Sequence, residues 1–234
     1  MAQSASHIWY FEDKDLYKVL CPHKVEHMQD RHIPLHFNKD EFVYFPNEPS
    51  MNIYMVAEGR VKIGGYSEDG REIVKTILTA GELFGELALA GEEKRTDFAQ
   101  AMDNNTSICA MSIDDMQDLM KDNQPLAFHI VKIIGFRLRR LERRLESLVF
   151  KDARTRIVEF LRDMAMEKGQ KVGYEMMIKN HLTHKDIASL TGTSRQTVTT
   201  ILNELKEKNL INFDRRRILI RDMDKLEGEI QLSA

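Results

Sequence analysis

A short stretch near the C-terminus of this 234-residue chain concentrates side chains that can hydrogen-bond base edges and phosphates. Arg195 carries a guanidinium and Gln196 an amide, and each group can form two parallel hydrogen bonds to a purine edge. Further polar side chains follow on the same side of the predicted helix at Thr199, Thr200 and Asn203. The chemistry that these residue types share is recognition of a nucleic acid.

Two short helices joined by a tight turn would position these side chains. The first helix is predicted to begin at Thr183, which forms a capping pattern with Asp186, and to end at Gly192. Ser194 is the N-cap of a second helix over 194–208, whose buried face is marked by Val198, Ile201, Leu202 and Leu205. A helix-turn-helix inserts the start of its second helix into the major groove. Helix pairs with a glycine turn also occur without DNA binding, so this alternative stays open.

The segment INFDRRRILIRD after Leu210 predicts a β-hairpin with three adjacent arginines at its tip. These arginines suit backbone phosphates, and a merely solvated turn is the alternative. The net charge is -3, but residues 151–234 hold 16 basic and 13 acidic side chains, while the rest holds 18 and 24. The excess of basic residues therefore lies in the part of the chain that contains the helix pair. Because this excess is small, the affinity for DNA must depend on where the individual charges lie.

The sequence of the first half of the chain is typical of a β-rich domain. A mixed helix is expected over residues 8–30, and short β-branched and aromatic runs begin near residue 33, separated by Pro, Asn, Asp and Gly. Glu58-Gly59 and Asp69-Gly70 are predicted hairpin turns. The spacing predicts an antiparallel sandwich or barrel with strands near 53–57, 60–66, 71–78, 98–102 and 107–112.

A glycine, a carboxylate and a guanidinium lie close together in GELFGELALAGEEKRTDFAQA. Gly85 would let backbone N–H groups approach a phosphate, and Arg95 would neutralise it. Glu86 could accept from a sugar hydroxyl. The three residues could bind a phosphorylated sugar, and a loop salt bridge between Glu86 and Arg95 is the alternative.

A long helix is predicted over 113–150 with a break near Pro125. Its apolar residues are spaced alternately four and three apart, at Ala127, Val131, Ile134, Leu138, Leu141, Leu145 and Leu148. This heptad pattern predicts a two-stranded coiled coil and hence a homodimer, and packing on its own domain is the alternative. A hinge at Lys151-Asp152, a helix over 153–168, a turn-rich connection over 168–173 and a small strand over 174–178 follow.

Other classes of function lack a sequence signal. The chain has no HExxH, Walker loop, nucleophile elbow or GxGxxG, so we predict no enzyme. Cys21 and Cys109 are too few for a zinc cluster, and the mixed spacing of His23, His27, His32 and His36 predicts no metal site. No apolar run reaches membrane-spanning length and no leader pattern begins the chain, so we expect a cytoplasmic protein without membrane contact.

The order of parts resembles the cyclic-AMP receptor protein and fumarate-nitrate regulator family of bacterial transcription factors, over nearly the whole chain. The matching motifs are GEL at Gly85, RT at Arg95, LVFKDARTRI at Leu148 and SRQTV at Ser194. The resemblance implies an α+β protein in three parts. These are an N-terminal antiparallel, jelly-roll-like β-roll that senses an effector (1–122), a dimerisation helix with hinge (123–151) and a winged helix-turn-helix (152–234).

The resemblance also implies partners and sites. It implies a homodimer on double-stranded DNA with an inverted repeat, contact with RNA polymerase, and no required cofactor but a cyclic nucleotide such as cAMP as a possible effector. The implied effector residues are Gly85, Glu86, Leu87, Arg95, Thr96, Leu141 and Glu142. The implied DNA-binding residues are Thr183, Lys185, Ser194, Arg195, Gln196, Thr197, Thr200 and Arg216.

Several residues depart from the pattern of the cyclic-AMP receptor. Gln196 replaces a glutamate and Thr200 an arginine, which predicts altered preferences in the inner half-site, because Gln pairs with adenine. Asp97 stands where a small residue is usual, and apolar Leu141 stands where a hydroxyl meets adenine. A ligand-independent or haem- or redox-sensing regulator, and a cyclic-nucleotide-binding subunit of a partner enzyme, stay open as alternatives.

Overall fold

A computed structural model describes residues 34–70, 72–179, 182–214 and 217–231. The chain divides into two compact units, one ending at Arg137 and the other beginning at Leu138. Among the described residues, no helix is both long and apolar enough to cross a membrane. The predicted helix over 8–30, His23, His27, His32, Cys21 and Arg216 lie outside the described residues.

The β-strands of the unit ending at Arg137 form two antiparallel four-stranded sheets, as the spacing of the short β-rich runs predicts. The strands are β1 (Leu35–Phe37), β2 (Phe42–Tyr44), β3 (Asn52–Glu58), β4 (Arg60–Tyr66), β5 (Glu72–Thr79), β6 (Leu83–Phe84), β7 (Phe98–Ala101) and β8 (Thr106–Ser112). Their orders in the two sheets are β1-β8-β3-β6 and β2-β7-β4-β5. Asp69-Gly70 turns the hairpin of β4 and β5, in agreement with the prediction. The prediction of a hairpin turn at Glu58-Gly59 was wrong, because the strands β3 and β4 that it joins lie in different sheets.

Helices follow the β-roll directly. Ser112 caps α1 (Ile113–Asp122), and after Asn123 the long helix α2 (Gln124–Phe150) begins, with Pro125 in its first turn, where a missing N–H is tolerated. One core cluster lies between the two sheets, and a second joins the β1-β8-β3-β6 sheet to the two helices. The β-roll is therefore anchored to the start of the long helix.

The unit beginning at Leu138 contains the predicted helix pair. After the break at Lys151-Asp152 come α3 (Ala153–Lys168), β9 (Gln170–Val172), β10 (Glu175–Lys179), α4 (His184–Thr191), α5 (Arg195–Glu207), β11 (Ile211–Phe213), β12 (Arg217–Ile220) and α6 (Met223–Gln231). The four strands form one antiparallel sheet in the order β11-β12-β10-β9. The order of helix pair and hairpin is that of a winged helix-turn-helix.

The prediction of a turn-rich connection over 168–173 was wrong. Strand β9 pairs with β10 through Val172 and Glu175, and Gly173 turns the hairpin. Helix α6 was not predicted at all. The packing boundary after Arg137 falls inside α2, and the three-part division of the sequence remains a proposal.

Two adjacent glycines of β4 provide a matched test of the packing between strands. A methyl group at Gly64 would lie 2.5 Å from Phe98 Cζ and 2.6 Å from the carbonyl oxygen of Ile73, whereas one at Gly65 would meet nothing nearer than Lys75 Cε at 3.9 Å. We expect Gly64→Ala to lower the free energy of unfolding by about 1–3 kcal/mol in urea denaturation. Gly65→Ala should change it by less than about 0.5 kcal/mol. Equal effects would contradict this packing.

Candidate nucleic-acid interface and effector site

The helix pair is shaped by side-chain caps at both helix starts. Thr183 Oγ1 accepts from the backbone N–H of Asp186 at 3.1 Å, and the Asp186 carboxylate accepts from the backbone N–H of Thr183 at 2.8 Å. Gly192, at φ 64° and ψ 43°, ends α4 in a left-handed conformation that favours glycine. Ser194 Oγ then accepts from the backbone N–H of Thr197 at 3.0 Å and starts α5. The predicted capping pattern is confirmed.

Helix α5 has one buried and one exposed face. Val198, Ile201, Leu202 and Leu205 are all buried. The side chains of Arg195, Gln196, Thr200 and Asn203 are exposed on the other face. Thr199 is half-buried, and its hydroxyl donates to the carbonyl oxygen of Arg195 at 2.9 Å. The structure thus places the base-reading candidates together on one outward face.

The hydroxyl groups of the predicted phosphate contacts are used inside the fold. Thr183 and Ser194 serve as caps, and the Thr197 hydroxyl lies 2.8 Å from Ser194 Oγ. As caps, the Thr183 and Ser194 hydroxyl groups accept from the backbone N–H groups of Asp186 and Thr197 and so fix the starts of both helices. Lys185 is exposed on α4.

The wing packs beside the helix pair. Phe213 on β11 makes an edge-on contact with the His184 ring, with centroids 5.9 Å apart, and Lys206 lies 5.2 Å above its ring. Beyond it, Arg217 pairs with Asp214 through Nε and Oδ2 at 2.9 Å. Of the three predicted tip arginines, Arg217 is the one that the structure describes, and it is tied to the turn rather than extended from it.

Two arginines hold the C-terminal end of α4. Arg156 donates to the carbonyl oxygens of Thr191 at 2.8 Å and Gly192 at 3.0 Å, and Arg144 on α2 donates to that of Ser189 at 2.6 Å. The last carbonyl groups of a helix generally lack partners within the helix, and cations stabilise such ends. The turn of the helix pair is therefore fixed by α2 and α3.

A partly buried ion-pair network joins α3, α5 and α6. Arg154 donates to Glu204 at 2.5 Å and to Glu229 at 2.6 Å, and Lys208 donates to Glu229 at 2.8 Å. Burial opposes ionisation of Glu229, but the hydrogen bonds from Lys208 and Arg154 outweigh it and hold its pKa below the usual value. Helix α6, absent from the sequence prediction, thus supports the recognition helix.

In the β-roll, Glu86 forms an ion pair with Arg137 on α2 rather than with Arg95. Arg137 also donates to the carbonyl oxygen of Leu83. The alternative of a Glu86–Arg95 salt bridge is therefore wrong. Glu86 is buried, and the predicted sugar-binding carboxylate already has a cationic partner from the long helix.

Arg95 is buried, and its guanidinium has partners on several sides. It donates to the carbonyl oxygens of Gly85, at 3.2 Å, and Asn52, and its Cζ lies 4.6 Å from the centroid of the Tyr44 ring. Gly85 has φ 75°, and a methyl group there would lie 3.0 Å from Arg95 Nη1. Gly85 is therefore required both for its backbone conformation and for the close approach of Arg95.

The remaining effector candidates are spread over the surface. Thr96 is exposed beside Arg95, and Leu87 is exposed on the short 3-10 helix Glu86–Ala90. Leu141 and Glu142 are exposed on α2. Within the described residues, no group of three or more His, Cys, Asp or Glu could hold a metal ion.

The acid that could repel a phosphate, Asp97, is engaged elsewhere. Its Oδ1 accepts from the Tyr44 hydroxyl at 3.2 Å, and its Oδ2 pairs with Lys75 at 3.1 Å. Burial, and then the negative charge of Asp97, hold the pKa of Tyr44 far above its usual value. Tyr44 therefore remains a neutral donor at any physiological pH.

Both units match domain families. Residues 34–123 match the family described as a cyclic nucleotide-binding domain, and residues 155–229 match the Crp-like helix-turn-helix domain. The chain belongs to the cyclic-AMP receptor protein and fumarate-nitrate regulator family. It is accordingly a transcription regulator with a cyclic-nucleotide-binding domain and a DNA-binding helix-turn-helix.

Named relatives of this regulator cover most of its length. A CRP-like cAMP-activated global transcriptional regulator from Mycobacterium tuberculosis is 29% identical over 82% of this chain and 86% of the relative. A global nitrogen regulator from Nostoc is 27% identical over 79% of this chain and 83% of the relative. The structure of a CooA mutant from Carboxydothermus hydrogenoformans is similar at a TM-score of 0.81, with 29% identity over 98% of this chain and 100% of that one.

Sequence reasoning missed several residues of the regulator's two sites. Arg137, Glu92 and His184 were not singled out as site residues from the sequence. His184 Nδ1 lies 2.8 Å from Thr199 Oγ1, so it links the start of α4 to the recognition helix. Its place as the first residue after the Thr183 cap was the available signal.

His184 makes the stability of the DNA-binding unit depend on pH. Burial, and then the charge of Arg195, lower its pKa from the ordinary value of 6.5. The neutral ring is therefore favoured by folding, and its contribution is present above about pH 6.5 and lost as the pH falls through the lowered pKa. We expect His184→Asn, which can keep the hydrogen bond to Thr199, to lose less stability than the wild type between about pH 7.5 and 5.5. Parallel losses in urea denaturation at each pH would contradict this role.

Proposed function

We propose that the protein is a homodimeric regulator that reads an inverted repeat in double-stranded DNA through the exposed face of α5. The observation that carries the proposal is that face itself. Arg195 and Gln196 extend outward at the start of a helix whose opposite face is completely buried. In this proposal Arg195 binds guanine O6 and N7, and Gln196 binds adenine.

Phosphate contacts surround this base-reading face in the proposal. The start of α4 at Thr183, with Lys185, and the start of α5 at Ser194 and Thr197 contact the backbone, while Thr200 faces the inner half-site. Arg216 contacts phosphate from the wing. Such contacts fix the register of the protein on DNA and carry little sequence information.

Exposed apolar residues along α2 support a homodimer. Val131, Leu138, Leu141, Leu145 and Leu148 are between 43% and 64% exposed. A row of large apolar side chains at heptad spacing is stabilised by a second, identical helix. A twofold dimer would present two α5 helices to half-sites about one DNA turn apart.

We propose a cyclic nucleotide such as cAMP as the effector, without a required cofactor. The matched domain family and the relative from Mycobacterium tuberculosis, whose name includes cAMP activation, support this proposal. Glu86 would bind the ribose, Gly85, Arg95 and Thr96 the cyclic phosphate, and Leu87, Leu141 and Glu142 would border the site. A tenfold change in DNA affinity would need about 1.4 kcal/mol of coupling between effector and DNA.

A regulator that works without an added ligand is the second candidate, and one observation favours it. Arg95, Glu86 and Thr96 already have partners inside the chain. For either candidate we propose a cytoplasmic protein that contacts RNA polymerase, in keeping with the relatives named as global transcriptional regulators.

Replacement of Gln196 tests the DNA-reading assignment. Gln196→Glu exchanges an amide that pairs with adenine for a carboxylate that accepts from cytosine. We expect the selected operator to change at one symmetric pair of positions, with a discrimination of about 1–3 kcal/mol in binding free energy. Gln170→Glu, the same amide-to-acid change at an exposed position on β9, is the control. A selection from random duplexes that recovers the wild-type operator for Gln196→Glu would contradict the assignment.

Calorimetric titration tests the effector. We expect cAMP to bind the wild type and adenosine, which lacks the phosphate, not to bind. Arg95→Gln should lose binding, because it removes the positive charge that would face the phosphate. Arg95 is also built into the fold, so thermal unfolding of the variant must first show that it is folded. Absence of binding heat with the wild type would exclude cyclic nucleotides as the effector.

A further inference from the structure

Two of the residues proposed for the cyclic phosphate, Arg95 and Thr96, donate to one side chain of the protein itself. The Glu92 carboxylate accepts from Arg95 Nη1 at 3.4 Å, from Thr96 Oγ1 at 3.0 Å and from the Thr96 backbone N–H at 3.3 Å. Ser50 Oγ donates to the same carboxylate at 3.0 Å. Four donors from three residues therefore surround a single carboxylate.

The Glu92 carboxylate is largely buried rather than exposed at the surface. The side chain of Glu92 is 11% exposed and that of Arg95 is 2% exposed. Ser50, the fourth donor, is also buried. An ion pair at this depth is screened much less by water than a surface pair, so the anion at this point matters for the free energy of the site.

The backbone around Glu92 is fixed independently of its carboxylate. The Glu92 N–H donates to the Leu87 carbonyl oxygen at 3.0 Å, and the Ser50 N–H donates to that of Glu93 at 2.9 Å. The Arg95 N–H donates to the carbonyl oxygen of Glu48 at 2.8 Å. Rotation of the Glu92 side chain could therefore empty the site while the loop keeps its position.

We propose that Glu92 is a built-in occupant of the phosphate subsite and sets the affinity for an anionic effector by competing with it. A carboxylate and a phosphate use the same donors, and two anions on one guanidinium repel each other. An effector must therefore displace Glu92 from Arg95 and Thr96 before its phosphate can bind. This inference rests on the proposed phosphate site and adds the residue that controls it.

Neutralising Glu92 is the direct test. Glu92→Gln keeps the size and one acceptor oxygen but removes the charge, and we expect it to bind cAMP at least about tenfold more tightly than the wild type, about 1.4 kcal/mol. Glu93→Gln is the matched control, because Glu93 is the exposed neighbour with the same charge and its carbonyl, not its side chain, holds Ser50. Its affinity should equal that of the wild type.

A second measurement uses inorganic phosphate and needs no nucleotide. Phosphate should raise the thermal unfolding temperature of Glu92→Gln and Glu92→Ala more than that of the wild type or Glu93→Gln. If Glu92→Gln fails to fold, Glu92→Asp provides a second variant, because its side chain is shorter by one methylene. It should still bind phosphate more tightly than the wild type.

The outcomes separate this inference from the proposed effector. Stabilisation of the Glu92 variants by phosphate, with no protein binding cAMP, would support the built-in anion and overturn the nucleotide proposal. Equal, Arg95-dependent cAMP binding by wild type and Glu92→Gln would overturn the built-in anion alone. No response of any Glu92 variant to either ligand would also overturn it.

Discussion

The polar face of helix α5 is available to a partner because its opposite face is buried along the whole helix. Val198, Leu202 and Leu205 form that buried face. Arg195 and Gln196 lie on the other face, where their side chains are exposed. The other elements of the unit serve this packing. The ion pairs of Arg154 hold α3 and α6 against α5, and arginines from α2 and α3 fix the turn that precedes it. The exposed recognition surface of α5 therefore depends on the packing of its opposite, buried face.

In the β-roll, by contrast, the charged side chains Glu86 and Arg95 of the candidate effector site are buried and paired inside the protein. A buried guanidinium is costly unless it is fully paired, and Arg95 is paired by carbonyl oxygens, by Glu92 and by the face of Tyr44. Glu86 is similarly paired with Arg137. In our account, an effector gains only the difference between its own contacts and the internal ones that it breaks. That difference is the free energy that can be coupled to the long helix.

Local patterns in the sequence predicted the local structure. The caps at Thr183 and Ser194 and the hairpin turn at Gly70 involve residues within four positions of each other, and the structure confirms them. The hairpin expected at Gly59 was wrong, because β3 and β4 pair with strands far away in the sequence rather than with each other. The Glu86–Arg137 pair joins residues far apart in the chain, and its geometry depends on how α2 packs on the β-roll. For the same reason helix α6, whose partners lie on α3 and α5, carried no recognisable signal.

Hydroxyl-radical footprinting of the protein on its selected operator tests the central claim most directly. We predict two protected patches related by a twofold axis, with centres about 34 Å or 10 base pairs apart. The protected sequences should be inverted copies of each other. A single protected patch, or two patches on a direct repeat, would contradict a twofold-symmetric dimer that associates through α2 and binds DNA through α5.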